Sequence, residues 1–132
     1  MTEAMYALNF YSPIVAEQLR SGRKTATIRL GDKSAKYRKG MIVQVLAGMR
    51  VSPRERVFAA VIDKVEVKAL SELSPREIEH DNPEIRRTED MASFLSQLYN
   101  REVTPDDMVT VIRFSQIMIG PVVPGFREEE IF

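Results

Sequence analysis

The stretch Ser21 to Asp32, SGRKTATIRLGD, places three cationic side chains, Arg23, Lys24 and Arg29, and two hydroxyls, Thr25 and Thr27, within seven positions. The cations can hold an anion, while the threonines are ordinary strand formers that stand well on a solvated sheet face. A solvated strand, an RNA-gripping surface and a catalytic site all start from such a set. Two further basic stretches bear on the choice. Lys36, Tyr37, Arg38 and Lys39 form one, and Arg50, Arg54 and Arg56 the other. Together they can rim a groove in which phosphates bind and Tyr37 stacks on a base. Other chemistries lack their residues. His80 is the only histidine and there is no cysteine, which excludes a histidine metal cluster and a thiolate site; no metal is expected.

Composition narrows the setting. A chain of 132 residues suits one domain with a substantial core. Cysteine-free and without a leader sequence, it is expected in the cytoplasm, and apolar runs such as VFAAVI at Val57 to Ile62 are too short to span a membrane. Net charge is zero, yet residues 1–69 carry thirteen Lys/Arg against six Asp/Glu, and residues 70–132 carry the reverse, six against thirteen. This asymmetry either raises a positive patch that attracts phosphate or lets two halves of one fold attract each other. Neither a glycine-rich phosphate loop nor a dinucleotide fingerprint is present, so no cofactor is expected.

The elements around the motif follow from pattern. Tyr6 to Phe10 is a short β run; Ser12 caps a helix with Pro13 at its first position, Ile14, Val15 and Leu19 on an apolar side, and Gly22 as a left-handed stop. TATIRL then alternates, Ala26, Ile28 and Leu30 on one face, Thr25, Thr27 and Arg29 on the other. Lys24 precedes that strand, in the turn after Gly22, since three positions along a regular strand would put it on the face opposite Thr27. Gly31 to Gly40 reads as a mobile basic loop, MIVQVLAG as a buried strand, residues 50–56 as a hairpin connection, and Arg56 to Leu70 as a long strand. Ser74 to Glu77 is a capping box opening a short helix that stops before Pro83, leaving Asp81 at its exit. A second helix, capped by Thr88, carries Met91, Phe94, Leu95, Leu98 and Tyr99 on one core-facing stripe, and Met108 to Ile117 is the closing strand. The order β-α-β-loop-β-β-α-α-β is that of an α+β fold built on a mostly antiparallel sheet.

With its strand and helix before Ser21, the SGRKTATIR stretch, the KGMIVQV strand and the long strand after it, the sequence resembles an ASCH domain of the PUA-like superfamily. The resemblance implies a small, mostly antiparallel β-barrel with flanking helices over residues 1–117, followed by an acidic tail at 118–132. It also implies a cleft for RNA or nucleotides. Within the family the sequence is similar to small bacterial N4-acetylcytidine amidohydrolases, whose catalytic Lys, Thr and Glu fall on Lys24, Thr27 and Asp81. Aspartate for glutamate shortens the reach by one methylene, roughly 1.5 Å, so the same contact needs a backbone shift. In that mechanism Thr27 is the nucleophile, Lys24 its base if its pKa is lowered, and Asp81 orients Lys24 or shuttles a proton. Arg23, Thr25 and Arg29 join the binding set with the basic loops. Three classes of function follow: binding of RNA, a nucleotide or a modified nucleoside; deacetylation of N4-acetylcytidine; and protein interaction through the acidic tail.

Overall fold

The chain runs β1 (Tyr6–Phe10), α1 (Pro13–Arg20), β2 (Ala26–Leu30), β3 (Ile42–Ala47), β4 (Glu55–Ala69), α2 (Pro75–Asp81), α3 (Thr88–Tyr99) and β5 (Met108–Gln116), with a 3-10 turn at Leu70–Glu72. This is the expected order. A computed structural model describes residues 6–48 and 55–118; Arg50, Arg54 and the acidic tail beyond residue 118 lie outside the described residues.

The five strands make one curled, barrel-like sheet in the order β1-β3-β4-β5-β2. Every pairing is antiparallel except β1 with β3. β5 explains its β-branched sequence: Val109 and Val111 enter one core, with Ile28, Leu70, Ile78, Met91 and Leu95, while Ile112 and Phe114 enter another on the opposite face, with Leu8, Val43, Val45 and Ile62. A strand covered on both faces needs apolar residues at every step. Each such buried Leu, Ile or Val contributes about 1.5–3 kcal/mol of burial. In β4 the register shifts between Ile62 and Lys64, a bulge at Asp63 after which Val65 and Val67 are half-buried.

The barrel is not closed by a ladder. β1 and β2 are the edges of the sheet, and side chains span the seam between them. On β1, the Ala7 carbonyl accepts from the Tyr37 hydroxyl (2.9 Å) and the Asn9 carbonyl from Arg29 (3.0 Å). On β2, Lys24 donates to the Ala26 carbonyl (3.0 Å), Asp81 accepts from the Ile28 amide (2.9 Å), and the Tyr99 hydroxyl accepts from the Leu30 amide (3.2 Å). Unpaired edge groups that would otherwise template another strand are thereby met.

Five expectations change. Tyr37 is only 3% exposed and belongs to the first core, so it is a strut rather than a stacking platform. Its loop is tied down, Lys33 N bonding Thr110 Oγ1, Tyr37 N the Lys33 carbonyl and Gly40 N the Ile62 carbonyl. On α1 the buried residues are Ala16 and Leu19, while Ile14 is exposed, because the short helix lies on β3 and β4 by that arc alone. On α3, Met91 and Leu95 are buried but Phe94 and Leu98 are 37% and 57% exposed. Helical spacing defines a broad stripe, and the core covers only its middle. Thr88 is the first helical residue and Arg87 the cap position.

Candidate functional site

The motif is aimed by the end of α1. Gly22 takes the left-handed conformation (φ 79°), its amide bonds the Leu19 carbonyl, and the Arg23 amide bonds the Gln18 carbonyl. This is a Schellman closure, which needs a residue free of Cβ strain at that position. It turns the chain so that Lys24, outside β2 as expected, folds back along the strand edge.

Lys24 is 5% exposed and Asp81 6%. The ammonium spends its three protons on the Asp81 carboxylate (Oδ1, 2.9 Å), the Asp81 carbonyl (2.7 Å) and the Ala26 carbonyl (3.0 Å). Asp81 is the last residue of α2, and that helix end lies against β2, with Thr25 N bonding the His80 carbonyl (3.0 Å). Backbone approach therefore brings the short Asp81 side chain within hydrogen-bond reach of Lys24. Burial lowers the Lys24 pKa from its ordinary 10.5; Asp81 opposes that through its charge and hydrogen bond, and the Arg29 charge adds to the lowering.

Thr27 is buried, and its hydroxyl accepts from Arg29 Nε (2.9 Å). Lys24 and Thr27 make no direct hydrogen bond, since the Lys24 protons go elsewhere. The Phe10 ring lies beneath both cations, 5.1 Å from Lys24 Nζ and 4.8 Å from the Arg29 guanidinium carbon, within cation–π range. Beside them Asn9 Oδ1 is buried without a hydrogen-bond partner.

These residues open on a cavity of about 390 Å³ at the seam. Lys24, Thr27, Arg29 and Asp81 line it, as do Lys33 and Lys36 from the basic loop and Phe94, Leu98 and Tyr99 from α3. A volume of this order suits one small ligand. The remaining candidates lie elsewhere. Arg23 is exposed and paired with Glu17 (2.6 Å); Thr25 is held by its backbone between His80 and Phe114; Arg38 and Lys39 line a separate surface groove with Asp63 and Lys64; Arg56 is exposed on β4. Sequence reasoning missed Asn9, Phe10 and the α3 wall. The only available signal was that Phe94 and Leu98, four positions apart, sit on one flank of their stripe.

Neither family models nor curated proteins match this sequence. Solved structures do. Protein EF3133 from Enterococcus faecalis V583, of the family DUF984, superposes with a TM-score of 0.63 at 17% identity, over 89% of this chain and 83% of that one. The ASCH domain from Lactobacillus crispatus JV V101 gives 0.55 at 14% identity, over 78% and 70%. The hypothetical protein PH0355 gives 0.62 at 19% identity, over 86% and 100%. The fold is therefore ASCH-like, an α+β half-barrel with flanking helices. Among the described residues no helix is long and apolar enough to cross a membrane, and no cluster of His, Cys, Asp or Glu could hold a metal ion.

Proposed function

We propose that this protein binds a nucleoside or nucleotide in the seam cavity. The observation that carries the reading is the cavity's make-up: Arg29, half-buried and without a carboxylate partner among the described residues, lines a space sized for one small ligand together with the apolar side chains of Phe94, Leu98 and Tyr99. Arg29 uses two of its five N–H groups within the protein and keeps three for a ligand. Asn9, which lines the same cavity, holds a buried amide oxygen without a hydrogen-bond donor. Adjacent donors and an acceptor, with a flat apolar wall, match the edge and face of a base. Arg38, Lys39 and Arg56 do not join this cavity, which favours a small ligand over a long RNA track. Calorimetric titration with the four ribonucleosides and N4-acetylcytidine tests it. Binding of at least one is expected, weakened about tenfold by Arg29→Gln through loss of charge-assisted bonds. Absence of binding by all five would end the reading.

A second reading, deacetylation of N4-acetylcytidine, is favoured by one observation: Lys24, Thr27 and Asp81 open on the same cavity, with Lys24 buried. In it a base takes the Thr27 proton and the hydroxyl oxygen attacks the acetyl carbonyl; the cationic side chains stabilise the oxyanion, the C–N bond breaks as that proton passes to the leaving N4 of cytidine, and water then hydrolyses the acetyl-threonine to acetate. For Lys24 to be that base, ligand binding must draw it away from Asp81. Release of cytidine from N4-acetylcytidine, lost in Thr27→Val, is the expected result. No release by the native protein, or release that survives Thr27→Val, removes this mechanism.

A further inference from the structure

The cavity carries a charge imbalance. Lys24, Arg29, Lys33 and Lys36 line it against one carboxylate, Asp81. That carboxylate is taken up by Lys24 in a buried pair. Arg29 bonds only neutral acceptors, Thr27 Oγ1 and the Asn9 carbonyl, and Lys33 and Lys36 make no ion pair among the described residues. Three positive charges thus line the cavity without an internal counter-ion among the described residues. The lysines are not on a loose tether. Gly31 N bonds the Met108 carbonyl, Lys33 N bonds Thr110 Oγ1, Lys36 N bonds the Lys33 carbonyl, and the Tyr37 hydroxyl anchors the far end to Ala7. The α3 side of the cavity is apolar, and Phe94 and Leu98 there are exposed.

A ligand that fits both ends is flat and apolar on one side and anionic on the other. A carboxylate would bring one charge and two acceptor oxygens. A phosphate monoester brings about −1.5 to −2 charge at neutral pH and three acceptor oxygens, the better match to three cations. Resting on the nucleoside reading of the same cavity, we propose that Arg29, Lys33 and Lys36 form a phosphate subsite and that the ligand is a free nucleoside monophosphate, its base against Phe94 and Leu98. Lys33 and Lys36 are exposed, so their part of the attraction is screened by salt.

The test is calorimetric titration of the full chain with the four ribonucleosides, their 5′-monophosphates, inorganic phosphate and a 5′-phosphorylated single-stranded oligoribonucleotide. At least one monophosphate is expected to bind about tenfold tighter than its nucleoside at low salt, with the ratio shrinking as salt rises. In the Lys33→Ala, Lys36→Ala double variant, with its fold checked by thermal melting, that ratio falls towards one. Equal binding of nucleoside and monophosphate would overturn the subsite while the nucleoside reading stands. A ratio that survives the double variant would overturn it too, and an oligoribonucleotide that binds tighter than every monophosphate would replace the free nucleotide by an RNA end. If neither nucleosides nor monophosphates bind, the reading of the cavity itself falls.

Discussion

Lys24 and Asp81 answer each other and the edge of β2 at the same time. The carboxylate oxygen that holds Lys24 also accepts from the Ile28 amide, and Lys24 meets the Ala26 carbonyl. Removing one partner of such a pair leaves a charge in a place water hardly reaches. Lys24→Met is therefore expected to cost about 3–5 kcal/mol in urea unfolding. Adding Asp81→Asn, which removes the stranded charge but keeps an acceptor for Ile28, should restore a large part of that loss. A Lys24→Met cost below about 1 kcal/mol would show that the pair is not buried in solution. Asp81→Glu, which supplies the carboxylate of the amidohydrolases the sequence resembles, adds a methylene that shifts the carboxylate from the position where it meets both Lys24 and the Ile28 amide. It is expected to destabilise by about 1–3 kcal/mol, and a stabilised variant would contradict the contacts described.

The α2 helix carries Asp81 to its place, and its start is secured by the capping box legible in SPRE. Ser74 Oγ accepts from Glu77 N (3.2 Å), and Glu77 accepts from Ser74 N (2.9 Å) and from Lys68 on β4 (3.0 Å). Partial burial acts to raise the Glu77 pKa, but the Ser74 amide and Lys68 outweigh it and hold the carboxyl below its ordinary 4.5. A depressed carboxyl favours the folded state above its unfolded value, and that contribution is lost as pH falls from about 4.5 through the lower folded value. Glu77→Gln should flatten the fall in melting temperature below that pH, and an unchanged acid limb would show that Glu77 is not linked to folding. Ser74→Ala should cost about 1 kcal/mol. The cap was readable because it is local; that its Glu also ties down Lys68 depends on β4 lying alongside.

For the whole molecule, the open seam is the feature that joins fold to site. A barrel closed by backbone bonds would leave no cavity between β1 and β2. Here the edge groups are met by side chains from five different segments, and the space between them is the cavity. Amide hydrogen exchange can read this directly. Tyr99→Phe deprives only Leu30 N of its acceptor, so exchange should quicken at Leu30, corresponding to about 1 kcal/mol, while Thr27 and Arg29, which face β5, stay protected. Loss of protection along all of β2 would mean that the seam is a single cooperative unit, and the picture of independent side-chain plugs would be wrong.

Periodicity, caps and turn residues determined the element order, the stop at Gly22, the exit of α2 at Asp81 and the position of Lys24 outside the strand, because each is decided by neighbours within a few residues. The family resemblance pointed to Lys24, Thr27 and Asp81, three residues that line one cavity. Tertiary structure alone decided that Tyr37 is a core strut, that Phe94 and Leu98 face a cavity, and that Thr27 answers to Arg29 rather than to Lys24. Those outcomes depend on which strand edges meet and how far each helix overhangs them. A stripe of apolar residues states that a face is buried without stating where burial ends, and a run of basic residues states a charge without stating which of them converge.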